Sequence, residues 1–551
     1  MALTKVTSEV LDVSVPTFKT FGTSSIMIGD DATGTIDAAN NNTGVGVDVF
    51  AALTSGDSNV AVGFAALDAN TTGSGNTALG MRALTANTTA SNNISVGKDS
   101  MFANTTGASN VAVGLSALQN NTTASNNTAL GYTGLFSNTT GADNTAVGKS
   151  ALYANTTASQ NTAVGVRSME DTTTGVDNTA IGWGSLTDNT TGSHNTALGR
   201  SALATNSTAS FNVGVGYHAL LSNTSGTQNV AVGSLALDAN TEAHNNVALG
   251  YLALGANVLG SRNVAIGSAT LDAMNPASAT NTYNVGVGYA AGSAVTTGVQ
   301  NTMVGGLASD AQTSADGCTS VGYAALTDNQ TGDNNTAVGS FALANTTGQD
   351  NTGVGNGSGV NITSGGNNLV LGHDAGVTGS PGGNITIQSN VVVLGDENIS
   401  QSYIQVDWTV ASDQRDKTDF TDLDLGLDFV KALKPVTYKW DKRSKYGNKY
   451  ITDENGERVP NPDYNITSYT PDGTHKEDWL DVGFKAQDVL ALEEAAGYKL
   501  ADKKNLTVSL TEDEKQYGLQ YTKFIPILVK ALQEADAKIE ALTTRIETLE
   551  G

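Results

Sequence analysis

The stretch N-T-A-V-G-K-S-A-L-Y-A-N-T-T-A-S-Q-N-T-A-V-G, residues 144–165, decides the fold, because it spans one unit of a repeat and the start of the next. The glycine that ends N-T-A-V-G recurs every 17 residues from Gly29 to Gly267 and again from Gly288 to Gly339. One unit, between Gly267 and Gly288, is four residues longer. The unit between Gly339 and Gly355 is one residue shorter, and the series ends at Gly372. A fixed short period indicates a solenoid, in which each coil buries its apolar face only against neighbouring coils.

Several positions within the unit carry nearly the same residue type in every copy. The residue before the glycine is Val, Leu or Ile in all 21 units, and the residue four before it is Asn in 19. A large apolar residue stands four after the glycine without interruption from Phe50 to Leu271. Short runs with β-branched residues predict short strands. We expect Gly and Asn to supply the left-handed corners, and stacked Asn amides to form hydrogen-bonded ladders.

The two faces of each N-T-A-V-G strand differ. Side chains alternate along a strand, so the aliphatic residue before the glycine and the small residue two before it point in opposite directions. We expect the aliphatic residues to fill a narrow roll interior. The flat Ala face is then expected to pack against another copy of the chain.

The N-x-A-[VL]-G units over residues 25–375 resemble the head domain of the YadA-type trimeric adhesins. The resemblance implies a left-handed parallel β-roll in which three chains pack about one axis. The unit of 17 is longer than the family's, which is expected to widen one corner. The sequence shows no secretory signal peptide and no run of about 20 apolar residues, so we expect no membrane insertion.

Beyond the repeat, four blocks follow one another over the last part of the chain: S-D-Q-R-D-K, F-V-K-A-L-K-P-V-T-Y-K-W, V-G-F-K-A-Q-D-V and Y-G-L-Q-Y-T-K-F-I-P-I-L-V-K-A-L-Q-E, at 412–417, 429–440, 482–489 and 517–534. They resemble the intramolecular chaperone domain of phage tail spikes and fibres, the S74 peptidase family. The resemblance implies a domain that assembles the trimer and then cleaves itself off.

Within that resemblance, Ser412 and Lys417 correspond to the catalytic pair, and the scissile bond joins Ala411 to Ser412. Serine needs a base, and lysine can serve if desolvation or a cationic neighbour such as Arg415 lowers its pKa. Residues five apart on a helix point about 140° from each other. We therefore expect a non-helical turn between the two, or a contact with a neighbouring chain.

The last segment shows a heptad seam with alternating spacings of three and four, which predicts a coiled-coil helix over 525–549. Isoleucine at a and leucine at d favour two strands in a simple parallel coil, whereas the family implies three; we expect three, because the attached domains set the symmetry. The seam comprises Ile525, Leu528, Leu532, Ala535, Ile539, Leu542, Ile546 and Leu549.

The chain carries a formal net charge of −25, which argues against nucleic-acid binding, because phosphate contacts need Lys and Arg. Its single cysteine, Cys318, replaces the recurring Asn of its coil and is expected to be a small buried thiol. The five histidines show no ligand spacing. We expect neither cofactor nor metal.

The prediction is a mostly β homotrimer with a docking segment at 1–24, a β-roll shaft at 25–375, a linker at 376–411 and an α+β chaperone domain at 412–551. It is expected to be a structural and host-recognition fibre of a tailed phage, located in the virion and made in the host cytoplasm. Expected partners are its own copies, a tail or baseplate protein, and a glycan receptor on the host cell. Self-cleavage is the only enzymatic activity expected. The alternatives are a bacterial trimeric surface adhesin and a tail spike that degrades glycans, the latter requiring a carboxylate pair in a groove.

Overall fold

The structure is a computed structural model that describes residues 17–21, 25–29, 38–405, 411–452, 458–511 and 514–551. Most of the predicted docking segment, residues 1–16 and 22–24, lies outside the described residues. The chain divides into two compact units, Met1–Cys318 and Thr319–Gly551.

The first unit is a β-solenoid in which most coils contribute one short strand. After an antiparallel pair, β1 with β2, the strands from β2 onward pair in parallel. The strands are β1 Thr17–Phe21, β2 Ser25–Gly29, β3 Thr43–Gly46, β4 Val60–Val62, β5 Thr77–Leu79, β6 Ile94–Val96, β7 Val111–Val113, β8 Thr128–Leu130, β9 Thr145–Val147, β10 Thr162–Val164, β11 Thr179–Ile181, β12 Thr196–Leu198, β13 Val213–Val215, β14 Val230–Val232, β15 Val247–Leu249, β16 Gly260–Ser261, β17 Val264–Ile266, β18 Thr280–Asn281, β19 Val285–Val287 and β20 Thr302–Val304.

Register follows the repeat. Thr145 lies opposite Thr162 and Ala146 opposite Ala163, so like residues stack on like residues. In the longer unit, β16 and β18 form a small parallel pair of their own. The predicted parallel β-roll is thereby confirmed.

The expected orientation of the strand faces is wrong. The alanines two before the glycine, such as Ala146 and Ala163, are fully buried inside the roll, whereas the aliphatic residues before the glycine face outward. The interior already holds the large side chain four after the glycine, for example Leu152, which is also fully buried. Because that side chain fills the narrow interior, only a small residue fits opposite it.

The recurring asparagines confirm the predicted ladders. Asn155 Nδ2 donates to Asn138 Oδ1, one coil earlier, at 2.8 Å, and the backbone N–H of Asn161 donates to Asn144 Oδ1 at 3.0 Å. These ladder asparagines are buried and do not adopt positive φ; in several coils the residue just before them is a left-handed asparagine, such as Asn92 and Asn126.

The recurring glycine and the large apolar residue four after it also have positive φ. Gly148 has φ 137°, and a Cβ placed on it would lie 2.4 Å from the carbonyl oxygen of Gly165. Leu152 has φ 52°, an unusual value for a leucine, and its side chain is buried in the interior. Left-handed geometry at each corner is therefore tied to burial of the large apolar residue.

The second unit contains further parallel coils followed by a mixed module of hairpins and helices. Strand β25 pairs in parallel with β24, so parallel pairing extends into the segment 376–411 that the sequence assigns to a linker. The strands are β21 Thr319–Val321, β22 Thr336–Val338, β23 Thr352–Val354, β24 Leu369–Leu371, β25 Val392–Leu394, β26 Val436–Tyr438, β27 Tyr450–Thr452, β28 Arg458–Pro460, β29 Asp481–Gly483, β30 Val508–Leu510 and β31 Tyr517–Leu519. The helices are α1 Leu427–Ala432, α2 Ala486–Ala495 and α3 Phe524–Glu550, with 3₁₀ turns at Gln414–Asp416, Arg443–Lys445, Ile466–Ser468, Leu500–Asp502 and Tyr521–Lys523.

The module has its own small apolar core. Three of the sequence blocks meet there, since Phe429 of α1, Val489 of α2 and Phe524 of α3 are buried in one cluster. Glu493 of α2 is also fully buried; its carboxylate accepts the backbone N–H groups of Leu506 and Thr507 at 3.2 and 2.7 Å. The module therefore packs α1, α2 and α3 around a core that also includes Val508, the first residue of β30.

Candidate functional site

The predicted pair, Ser412 and Lys417, lies at the start of the C-terminal module. Lys417 Nζ is 2.5 Å from Ser412 Oγ and 3.4 Å from the backbone oxygen of Ser412. The structure thus brings the two side chains together within one chain, by a turn that is not α-helical.

The turn follows from local chemistry. Residues Gln414–Asp416 form one 3₁₀ turn, and the flanking Asp413 and Lys417 are both extended. Asp413 caps the turn, because its side chain accepts the backbone N–H of Arg415 at 2.9 Å. The N–H of Lys417 closes the turn on the carbonyl of Gln414 at 3.2 Å. The 3₁₀ turn reverses the chain, and with an extended residue at each end the lysine reaches the serine.

Arg415 binds a carboxylate within the turn. Its guanidinium contacts Asp413, with Nη2 2.5 Å from Oδ2. The hydrogen bond from the Arg415 side chain is the main cause that holds the pKa of Asp413 below its usual range, and the one from the Arg415 backbone N–H is the second. The same side-chain bond raises the pKa of Arg415. Arg415 therefore fixes the turn.

Water reaches the pair freely in a single chain. Ser412 and Lys417 are both exposed, and so is Ala411 on the other side of the predicted scissile bond. A lysine amine accepts a proton only in its neutral form, which burial favours. The described chain supplies the contact between the predicted nucleophile and the predicted base, whereas exclusion of water requires a further covering surface.

Residues 412–498 match the S74 peptidase family, described as the chaperone of endosialidase. The match begins at Ser412, so the contact between Ser412 and Lys417 lies at the first turn of the S74 domain. It ends soon after α2, and helix α3 lies beyond it. No curated protein matches the chain.

The single cysteine is part of the asparagine ladder. Cys318 is buried, and its backbone N–H donates to Asn301 Oδ1 at 2.8 Å. Within the described ranges, no group of His, Cys, Asp and Glu is arranged to hold a metal ion. In those same ranges, no helix is long and apolar enough to cross a membrane.

Two features were not found from the sequence. One is the outward row of aliphatic residues on the roll, which were expected in its interior. The other is the ion pair between Glu397 and Lys449, which are 52 positions apart and belong to no repeated motif. No sequence signal distinguishes these two charges from their neighbours.

Proposed function

We propose that the chain is the subunit of a trimeric fibre or spike of a tailed phage, in which the roll is the shaft and the S74 domain assembles the trimer and then cleaves the bond between Ala411 and Ser412. The observation that carries the proposal is the contact of Lys417 Nζ with Ser412 Oγ at the first residue of the S74 match, directly after a β-solenoid.

Trimer formation is supported by apolar surface that a single chain leaves uncovered. The residues before the recurring glycines form an outward stripe, and several are more than a third exposed. Such continuous apolar surface is typical of an interface between copies. The stripe includes Val45, Leu79, Leu130, Ile181, Val232, Leu249, Ile266, Val338 and Val354.

The last helix supports the same proposal. Along α3, the heptad residues Ile525, Leu532, Ile539 and Leu549 are mostly exposed, with Leu549 at 79%. A seam of this kind is buried when identical helices pack together. Assembly of three copies would cover the stripe and the seam, and would offer the surface that excludes water from Ser412 and Lys417.

A β-solenoid followed by an S74 domain supports a role in the virion. A trimeric shaft of this kind would dock to a tail or baseplate protein through its N-terminal segment and contact a glycan receptor on the host cell. The protein would be made in the host cytoplasm.

Denaturing electrophoresis and mass spectrometry of the purified protein test the cleavage. We expect two fragments that end at Ala411 and begin at Ser412, and light scattering should give a mass of three copies. A single full-length band of 56.3 kDa after prolonged incubation would exclude self-cleavage. Binding to host envelope glycans without release of sugar products supports a fibre, whereas product release supports a glycan-degrading spike.

A further inference from the structure

A buried ion pair joins the end of the roll to the S74 domain. Glu397, just after β25, binds Lys449, just before β27, and the two side chains are only 8% and 14% exposed. Lys442 Nζ also donates to the backbone oxygen of Glu397 at 2.5 Å. Both lysines therefore converge on one residue of the last coil.

Close backbone packing surrounds this pair. Gly379 has φ 100°, and a Cβ on it would lie 2.6 Å from Cβ of Ser444, which is itself buried. Tyr464 donates its hydroxyl to the carbonyl of Ser444 at 3.3 Å. The pKa of Tyr464 is raised to about 12, mainly by burial and secondly by the nearby Glu397 carboxylate. The surface between the end of the roll and the S74 domain is therefore closely packed and largely shielded from water.

The predicted cut falls between the two sides of this surface. Gly379 and Glu397 precede Ala411, whereas Lys442, Ser444, Lys449 and Tyr464 follow it. We infer that the S74 domain stays bound to the roll after the Ala411–Ser412 bond is cut, held by a latch consisting of Glu397, Lys442 and Lys449. Release of the domain is then a separate step from cleavage. This inference rests on the proposed self-cleavage.

The chemistry of the latch decides which variant tests it. When the surfaces separate, both charges regain water, so part of the attraction between them is offset by the cost of burying them. Removing the carboxylate alone is different, because Lys449 then stays buried opposite a neutral side chain. We expect E397Q to weaken the complex of the two fragments by roughly tenfold or more.

Size-exclusion chromatography of the cleaved full-length protein is the test. In the wild type, the fragment 412–551 is expected to elute with the roll. In E397Q, a large part of that fragment is expected to elute alone. E477Q is the matched control, because Glu477 Oε1 lies 3.8 Å from Lys442 Nζ but belongs to the S74 domain itself. The E477Q protein should retain the fragment 412–551 to the same extent as the wild type.

A second form of the protein separates failure of the latch from failure of self-cleavage. Replacing residues 406–410 with a protease recognition sequence in an S412A background allows the chain to be cut by an added protease. Elution of a free C-terminal fragment from this nicked protein would overturn the latch, whether or not the wild type cleaves itself. Adding E397Q to the nicked protein should release the fragment, and equal retention with and without E397Q would also overturn the latch.

Discussion

The side-chain oxygen of Asn144 accepts the backbone N–H of Asn161, one coil further along the chain, at 3.0 Å. Asn161 repeats the pattern, because its own oxygen accepts the N–H of Asn178 and its amide donates to the carbonyl of Gly175. The ladder thus satisfies backbone groups that are buried inside the roll.

Asn161→Ala is expected to lower the free energy of unfolding by about 2–4 kcal/mol, because a buried N–H and a buried carbonyl both lose a partner. Thermal unfolding followed by circular dichroism should show a lower midpoint. Thr157→Ala, an exposed change in the same coil, should leave the midpoint unchanged. Equal midpoints for the two variants would argue against the ladder's contribution.

Gly148→Ala is expected to disrupt stacking, because the added methyl meets the Gly165 carbonyl at 2.4 Å and the backbone holds a positive φ. Gly134→Ala is the matched control. Gly134 stands where other coils carry Ala, and a Cβ there has no neighbour closer than 3.7 Å. We expect a large loss of soluble protein or a lower unfolding midpoint for the first variant, and no loss for the second. Similar behaviour of both would contradict the role of the corner.

Ile181→Asp combined with Leu249→Asp places charges on the outward stripe, where both residues are partly exposed in a single chain. We expect the mass measured by light scattering to fall from three copies to one, because a charge is costly to bury at an apolar interface. Thr179→Asp, on the same strand and partly exposed, is a milder comparison. An unchanged mass for the double variant would place the interface elsewhere.

Lys417→Arg keeps the positive charge but replaces the amine with a guanidinium, which does not give up a proton in proteins. We expect this variant to remain a single band of 56.3 kDa on a denaturing gel. Lys431→Arg, on an exposed position of α1, should cleave like the wild type. Cleavage of the Lys417 variant at the wild-type rate would show that the amine is not the base.

The raised pKa of Tyr464 predicts a response to alkaline pH. A folded-state pKa above the value of about 10 in an unfolded chain means that the hydroxyl contributes stability below pH 10, and that this contribution is lost as the pH rises from about 10 towards 12. Retention of the cleaved S74 domain should therefore fall over this interval. Tyr464→Phe should show a smaller fall, whereas Tyr403→Phe, at an almost fully exposed position, should behave like the wild type. Identical curves for all three would contradict the prediction.

The sequence predicts the stacking of the coils well, because a fixed spacing of 17 places Val147 beside Val164 whatever the shape of the coil. It does not predict which face is inside. Alternation states only that Ala163 and Val164 point in opposite directions. The choice depends on Leu152, which reaches the interior from the corner and leaves room for nothing larger than alanine opposite it.

For the candidate site, the spacing of Ser412 and Lys417 correctly requires a non-helical turn, which Asp413 and Arg415 supply. Their predicted roles in catalysis stay predictions. The contact between Glu397 and Lys449 could not be anticipated, because it depends on how the module folds back onto the last coil. Pairings of that kind carry no period and no local motif.

The stacking of each recurring glycine against the carbonyl of the next also bears on how such a protein changes over generations. Since Gly148 meets Gly165 much as Gly165 meets Gly182, gain or loss of a whole coil by recombination between repeats leaves every remaining junction of the same kind. The number of coils can therefore change without requiring any new kind of contact. A lineage of these chains could adjust its reach by copying errors alone, with the terminal domains unaltered.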